Sequence, residues 1–318
     1  MMVKGFSYGY DANRGMFFDP RAKASVKRLA GLGGNWAAIC LKIAQNSFSS
    51  TSFGFDYRYD LTDREIEHMV KIQKDCGLKV CLKPILNCSD GVWRARIGFP
   101  EPDYGKVDYW KEWFSCYKAF IIHYAEIAEY TGCEMLCIGC EMGGTEHQKG
   151  YWLDLIKSVR EIYKGAVIYN ANHGGERNIE WFDAVDFIGT SAYYPVTEIP
   201  GDSEENMLKE WNKVKKNLKE LSDDHGGKQI IFMEIGCRSA RGCAAMPWDF
   251  THRDLPYDED EQANFYSSCF KAMVGEPWFA GFFWWDWYTF LPEREGELGF
   301  SIYKKKAESV VREWYSGV

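Results

Sequence analysis

The chain has 318 residues, 46% hydrophobic and 26% charged, a length and balance that suit one large α/β domain and leave no room for a disordered or collagen-like reading. Its 38 Lys and Arg against 46 Asp and Glu give a net charge of −8. That speaks against nucleic acid or an anionic membrane as a partner, because both are held by clustered basic side chains. The longest apolar run, 278–285, is eight residues and too short to cross a bilayer.

Apolar β-rich runs alternate with amphipathic stretches along the whole chain. A strand over 4–10 precedes a helix over 20–32. A strand over 35–42 precedes a helix over 62–76, which Thr62 and Glu65 open as a capping box. Strands over 79–86 and 135–141 are followed by helices over 108–130 and 151–163. The strand over 166–172 leads to a short helix around 179–182, and that over 187–193 to a helix over 204–223. Strands over 230–236 and 279–287, with helices over 258–274 and 303–314, complete the chain. Eight such units with no dinucleotide fingerprint predict a parallel sheet closed as a single (β/α)8 TIM barrel spanning 1–318. The strands read as continuous apolar runs, as expected where both faces are buried.

Eleven cysteines, many inside apolar runs, read as reduced buried thiols rather than a disulfide framework. With no leader pattern at the N-terminus, this predicts a cytoplasmic protein, the alternative being a secreted one whose leader has been removed. Cys133, Cys137 and Cys140 have a cluster-binding spacing, but extended backbone would hold the first and last about 23 Å apart. No pair of histidines has a metal-binding spacing, so neither metal nor cofactor is expected. The sequence carries no signature of an oligomeric state.

Active sites of such barrels lie at the C-terminal ends of the strands. The residues there are Tyr10, Asn87, Glu141, Asn172, His173, Tyr193, Tyr194, Glu234 and Trp285, with Trp93 and Arg94 just beyond strand 3 and Arg238 beyond strand 7. Amides, aromatic rings and two glutamates suit a sugar, whose CH faces stack on rings such as the 13 Trp and 19 Tyr of this chain. Period-2 alternation puts Glu141 on the face of Met135, Cys137 and Gly139, and Glu234 on the face of Ile230, Phe232 and Gly236. A strand keeps a buried carboxylate for a reason. One reason is simple pairing, with Lys83 or Arg238 as the cation. The other is chemistry: strands 4 and 7 face each other across the barrel, and two carboxyls flanking one bond are what glycoside hydrolysis needs.

Several segments resemble the β-mannanases of glycoside hydrolase family 113, in the clan of retaining (β/α)8-barrel glycosidases. They are Leu82-Lys83-Pro84, Gly91-Val92-Trp93-Arg94, Ile138-Gly139-Cys140-Glu141, Ser191-Ala192-Tyr193-Tyr194-Pro195, Met233-Glu234-Ile235-Gly236 and Trp284-Trp285-Asp286-Trp287. The resemblance implies an endo-β-1,4-mannanase acting by double displacement on a β-linked oligo- or polysaccharide. Glu141 would be the acid/base and Glu234 the nucleophile. Tyr193, or next Tyr194, would hydrogen-bond the nucleophile. Trp285, ahead of Trp284 and Trp287, would floor the sugar, and Lys83, Trp93 and Arg94 would line the cleft. Two positions depart from the clan pattern: Cys140 stands where asparagine is common, and Ile85 where histidine is expected. The alternatives are another specificity of the same clan (exo-β-mannosidase, β-glucanase or β-galactanase) or a barrel that binds saccharide without cleaving it. The segments 48–59 and 238–255 are long enough to close one end of the cleft.

Overall fold

The computed structural model describes residues 2–102, 106–292 and 296–317. Eight parallel strands, β1 (Val3–Tyr8), β2 (Trp36–Gln45), β3 (Lys79–Cys88), β4 (Met135–Cys140), β5 (Ala166–Asn172), β6 (Phe187–Ser191), β7 (Ile230–Ile235) and β8 (Phe279–Trp287), pair in sequence order. The sheet closes where Val3 pairs with Gly281. The helices α1 (Pro20–Ala30), α2 (Asp63–Asp75), α3 (Tyr109–Thr131), α4 (Lys149–Ile162), α5 (Glu204–Asp224), α6 (Glu259–Met273) and α7 (Lys306–Gly317) accompany it. This is the predicted (β/α)8 barrel. None of the described helices is long and apolar enough to cross a membrane.

Side-chain caps decide where several helices begin. Asp19, Asp108, Ser203 and Asp258 each accept a backbone N–H from the first turn of their helix. At α2 the predicted capping box is present in both directions, Thr62 Oγ1 accepting from the Glu65 N–H and Glu65 Oε2 from the Thr62 N–H. The short helix expected around 179–182 is instead two single 3-10 turns, Glu176–Asn178 and Phe182–Ala184. Buried Trp181 and Phe182 cover the sheet in place of a longer helix.

Alternation sorts the strand residues into two layers. Outward-facing Phe6, Ile39, Leu136, Tyr169, Phe232 and Trp284 pack under the helices. Inward-facing Trp36, Cys81, Met135, Ile168, Met233 and Phe283 fill the lower barrel. Cys40, Ile85 and Cys140, with Tyr10 and Trp285, form the next inner layer up.

Two of the strands that break the alternation, β4 and β7, do so beside Glu141 and Glu234. Along β4 and β5, Cys137 pairs with Ile168 but Cys140 with Asn170, so β4 carries one extra residue. Along β6 and β7, Thr190 pairs with Phe232 and the next residue, Ser191, with Glu234, an extra residue in β7. Bulges of this kind re-aim side chains beside active sites. Gly139 consequently faces outward: a Cβ there would lie 2.7 Å from the Tyr169 ring and 2.9 Å from that of Trp152. Ile230 and Phe232 face the helices, yet Glu234 points inward with Met233. Strict alternation therefore misplaced the neighbours of both glutamates, because it cannot register an inserted residue.

Candidate active site

Glu234 sits inside the barrel at 3% exposure. Lys83 Nζ, fully buried on the inner face of β3, donates to its Oε1 at 2.5 Å and to the Met233 carbonyl at 3.2 Å. The Cys140 thiol donates to Oε1 at 3.2 Å and Asn170 Nδ2 donates to the same oxygen at 3.4 Å, while Tyr193 OH donates to Oε2 at 3.2 Å. Burial alone would raise the Glu234 carboxyl, but the charges of Lys83 and Arg94 and the hydrogen bonds from Lys83 and Cys140 outweigh it and hold it below the usual carboxylate range. Burial works against the charged form of Lys83 too, and the facing Glu234 carboxylate more than compensates, so the amine stays protonated.

Glu141 follows β4 directly, with φ of 52°, and its N–H donates to the Asn170 carbonyl at 2.7 Å. Arg94 Nη2 at 2.9 Å and Trp93 Nε1 at 3.3 Å both donate to its Oε2. Arg94 is fixed in turn through Nε to the Cys140 carbonyl at 3.0 Å and through Nη1 to Asn87 Oδ1 at 2.9 Å. The Asn87 amide continues the chain to Tyr10 OH at 3.2 Å. The Tyr10 ring leans on Trp285 at 4.9 Å between centroids, and Lys83 Nζ lies 5.9 Å from the centre of that indole.

Tyr10, Lys83, Trp93, Arg94, Tyr193 and Trp285 thus converge on the two glutamates. Tyr194 does not: it faces outward, its hydroxyl donating to Glu176. Trp284 and Trp287 belong to the outer layer. The Asn172 side-chain amide donates to the neighbouring His173 carbonyl at 3.3 Å. Arg238 is taken up by Asp249 and by the His252 carbonyl, so of the two cations expected to pair with Glu234 it is Lys83 that does. His173 stacks on the half-exposed Trp248 with centroids 5.5 Å apart. Asn170, fully buried on β5, is the member that sequence reasoning missed. An amide on the inward face shared with Ile168 was the available signal. Ile85 fills the inner layer beside Cys40 and Cys140 with apolar surface.

Beyond Tyr10 the segment 42–60 borders a groove of about 980 Å³, lined among others by Lys42, Phe53, Phe55, Tyr57 and Asn87. Lys42 Nζ sits 5.6 Å from the centre of the Tyr10 ring, so the groove runs into the site. Among the described residues no group of acidic, histidine or cysteine side chains could hold a metal ion. The arrangement offers one carboxylate kept ionised inside the barrel, a second held at the rim by a guanidinium and an indole, and an aromatic floor between them.

A profile of Glycoside Hydrolase Family 113 matches residues 6–305. A family 113 β-mannanase from Alicyclobacillus acidocaldarius, solved in complex with ManMIm, is 36% identical, with a TM-score of 0.90 over 99% of this chain and 97% of its own. A β-1,4-mannanase of the same family, solved as a complex, is 32% identical with a TM-score of 0.90, covering 100% of this chain and 99% of its own. Another structure of a family 113 β-1,4-mannanase is 31% identical with a TM-score of 0.91 over the same shares. No curated protein matches the chain.

Proposed function

The chain belongs to Glycoside Hydrolase Family 113, and from that premise we propose that it is a retaining endo-β-1,4-mannanase. The observation that carries the mechanism is the setting of Glu234, a buried carboxylate kept ionised by Lys83 and aimed by Tyr193. It attacks the anomeric carbon of a sugar lying on Trp285. Protonated Glu141 gives its proton to the glycosidic oxygen as the C–O bond breaks, leaving a glycosyl ester on Glu234. Water, deprotonated by Glu141, then attacks the same carbon and expels the Glu234 carboxylate, so two inversions give net retention. Both donors to Glu141 use Oε2, which leaves Oε1 for the leaving oxygen.

Endo action on a β-mannan or manno-oligosaccharide is supported by the groove beside Tyr10, which has room for sugars beyond the one being cleaved. Residues 52–59 border this groove. The free state of all eleven cysteines supports a reducing, cytoplasmic location.

Time-resolved proton NMR with β-1,4-mannohexaose tests the reading. Early release of the β-anomer with mixed di- to tetrasaccharides is expected. Mannose as the sole product would replace endo with exo action, the α-anomer first would replace retention with inversion, and no cleavage would move the specificity to another β-glycan.

A further inference from the structure

Glu141 is one of two described non-glycine residues with positive φ, and a left-handed backbone at such a side chain persists only where the surroundings enforce it. The Glu141 N–H to Asn170 bond secures the peptide on one side of this residue. The other side is secured from behind the sheet. The next N–H, that of Met142, donates to Tyr169 OH at 3.0 Å, and Tyr169 OH donates to Glu146 Oε1 at 2.6 Å. The single phenol proton goes to Glu146 Oε1 while the phenol oxygen accepts from Met142, so the relay runs from Met142 N–H through Tyr169 to Glu146.

Glu146 returns to the same turn. Its carbonyl accepts from Trp181 Nε1 at 3.0 Å, and the Thr145 carbonyl accepts from Trp152 Nε1 at 3.0 Å. Thr145 closes the turn by donating through Oγ1 to the Met142 carbonyl at 2.9 Å. The Tyr169 ring packs edge-on against the stacked pair Trp152–Trp181, with centroids 5.1 Å and 4.9 Å away, in the space left by Gly139. Glu146 is buried, and it accepts hydrogen bonds from Tyr169 and Trp181 behind the sheet, outside the sugar chemistry. A buried carboxyl retained at such a place needs a function.

We propose that Tyr169 and Glu146 are positioning residues that hold the Glu141–Met142 peptide in its left-handed turn and thereby aim the acid/base carboxyl at the leaving oxygen. This rests on the reading of Glu141 as acid/base. Burial raises the Glu146 carboxyl to about 7, against the hydrogen bond from Tyr169, with Glu176 and Glu141 adding to the rise. The relay survives this titration, since a neutral carboxyl still offers its carbonyl oxygen to the phenol.

The test exploits the fact that proton donation matters for a poor leaving group and little for a very acidic one. Each variant is assayed on mannotetraose and on a 2,4-dinitrophenyl β-mannoside, whose phenolate departs unassisted. Tyr169→Phe and Glu146→Ala are expected to lower kcat/KM on the tetrasaccharide by about 10- to 100-fold, the scale of an ångström-level misplacement, while formation of the glycosyl-enzyme from the aryl mannoside stays within about twofold. Glu146→Gln, which keeps the acceptor oxygen, should recover most of the tetrasaccharide rate. Equal losses on both substrates, or no loss on either, in variants with wild-type circular dichroism would overturn the proposal. Glu141→Ala is the control: if it lacks the same selectivity, the acid/base reading itself fails, a result distinguishable from failure of the relay alone.

Discussion

The Lys83–Glu234 contact couples folding and chemistry in one pair of side chains. Removing one member of a buried ion pair leaves an uncompensated charge and costs about 3–5 kcal/mol. Lys83→Met should therefore lower the unfolding free energy by roughly that amount in urea titrations. The sign with pH follows from the directions of the two shifts. Glu234 is depressed, so its share of the stability is complete above the ordinary carboxylate pKa and fades as pH falls through the lower value it has in the fold. Lys83 is raised, so its share is complete below the ordinary amine pKa and is lost only as pH rises through its elevated value. Without the lysine, the acid limb of kcat/KM should move to higher pH, because burial would then dominate at Glu234. Glu234→Ala is expected to lose several orders of magnitude in turnover and to regain part of it with azide, yielding an α-mannosyl azide detectable by NMR. An unimpaired variant would remove Glu234 from the nucleophile's role.

Local signals made most elements legible, and the α2 capping box illustrates why. Thr62 and Glu65 act through backbone groups within one turn, which a sequence displays completely. Thr62→Ala should cost about 0.5–2 kcal/mol with activity unchanged. Glu65→Ala should cost more, because Glu65 Oε1 also accepts the Gly15 N–H at 2.5 Å and ties α2 to the loop after β1. Thermal denaturation of both variants checks the order. The site was legible where side chains lie at strand ends, as at Tyr10, Glu141 and Tyr193, and where one inward cation could meet a buried acid, as at Lys83. It was not legible where a non-local partner decides. Arg238 finds Asp249 in its own loop, Tyr194 finds Glu176 behind the sheet, and inward-facing Asn170 meets Glu234 through the bulge that turns the β7 carboxylate inward.

At the scale of the whole molecule, closure joins the two ends of the sequence. Val3 pairs with Gly281 on β8, and α7 covers the seam: Tyr315 OH donates to the Gly5 carbonyl at 3.2 Å, while Lys4 Nζ donates to the Tyr315 carbonyl at 2.7 Å. Trp314 stacks on Phe270 of α6 at 5.4 Å. Truncation after Lys305 should bare this apolar seam and give an insoluble or molten product, checked by near-ultraviolet circular dichroism. The eightfold rhythm of strand and helix announced the barrel because each unit repeats one local pattern. The extra residue in β7 has no such announcement, and it links barrel and chemistry more tightly than either implies. Ironed flat, with no residue changed, β7 would turn Glu234 toward the helices and strand Lys83 as a bare cation in an apolar interior. Neither the acid nor the lysine could then be tolerated where it stands. The phase of one strand thus decides at once whether this composition is an enzyme and whether it is a stable barrel, and other chains with the same chemistry are to be sought by counting residues along β7, not by tallying residue types.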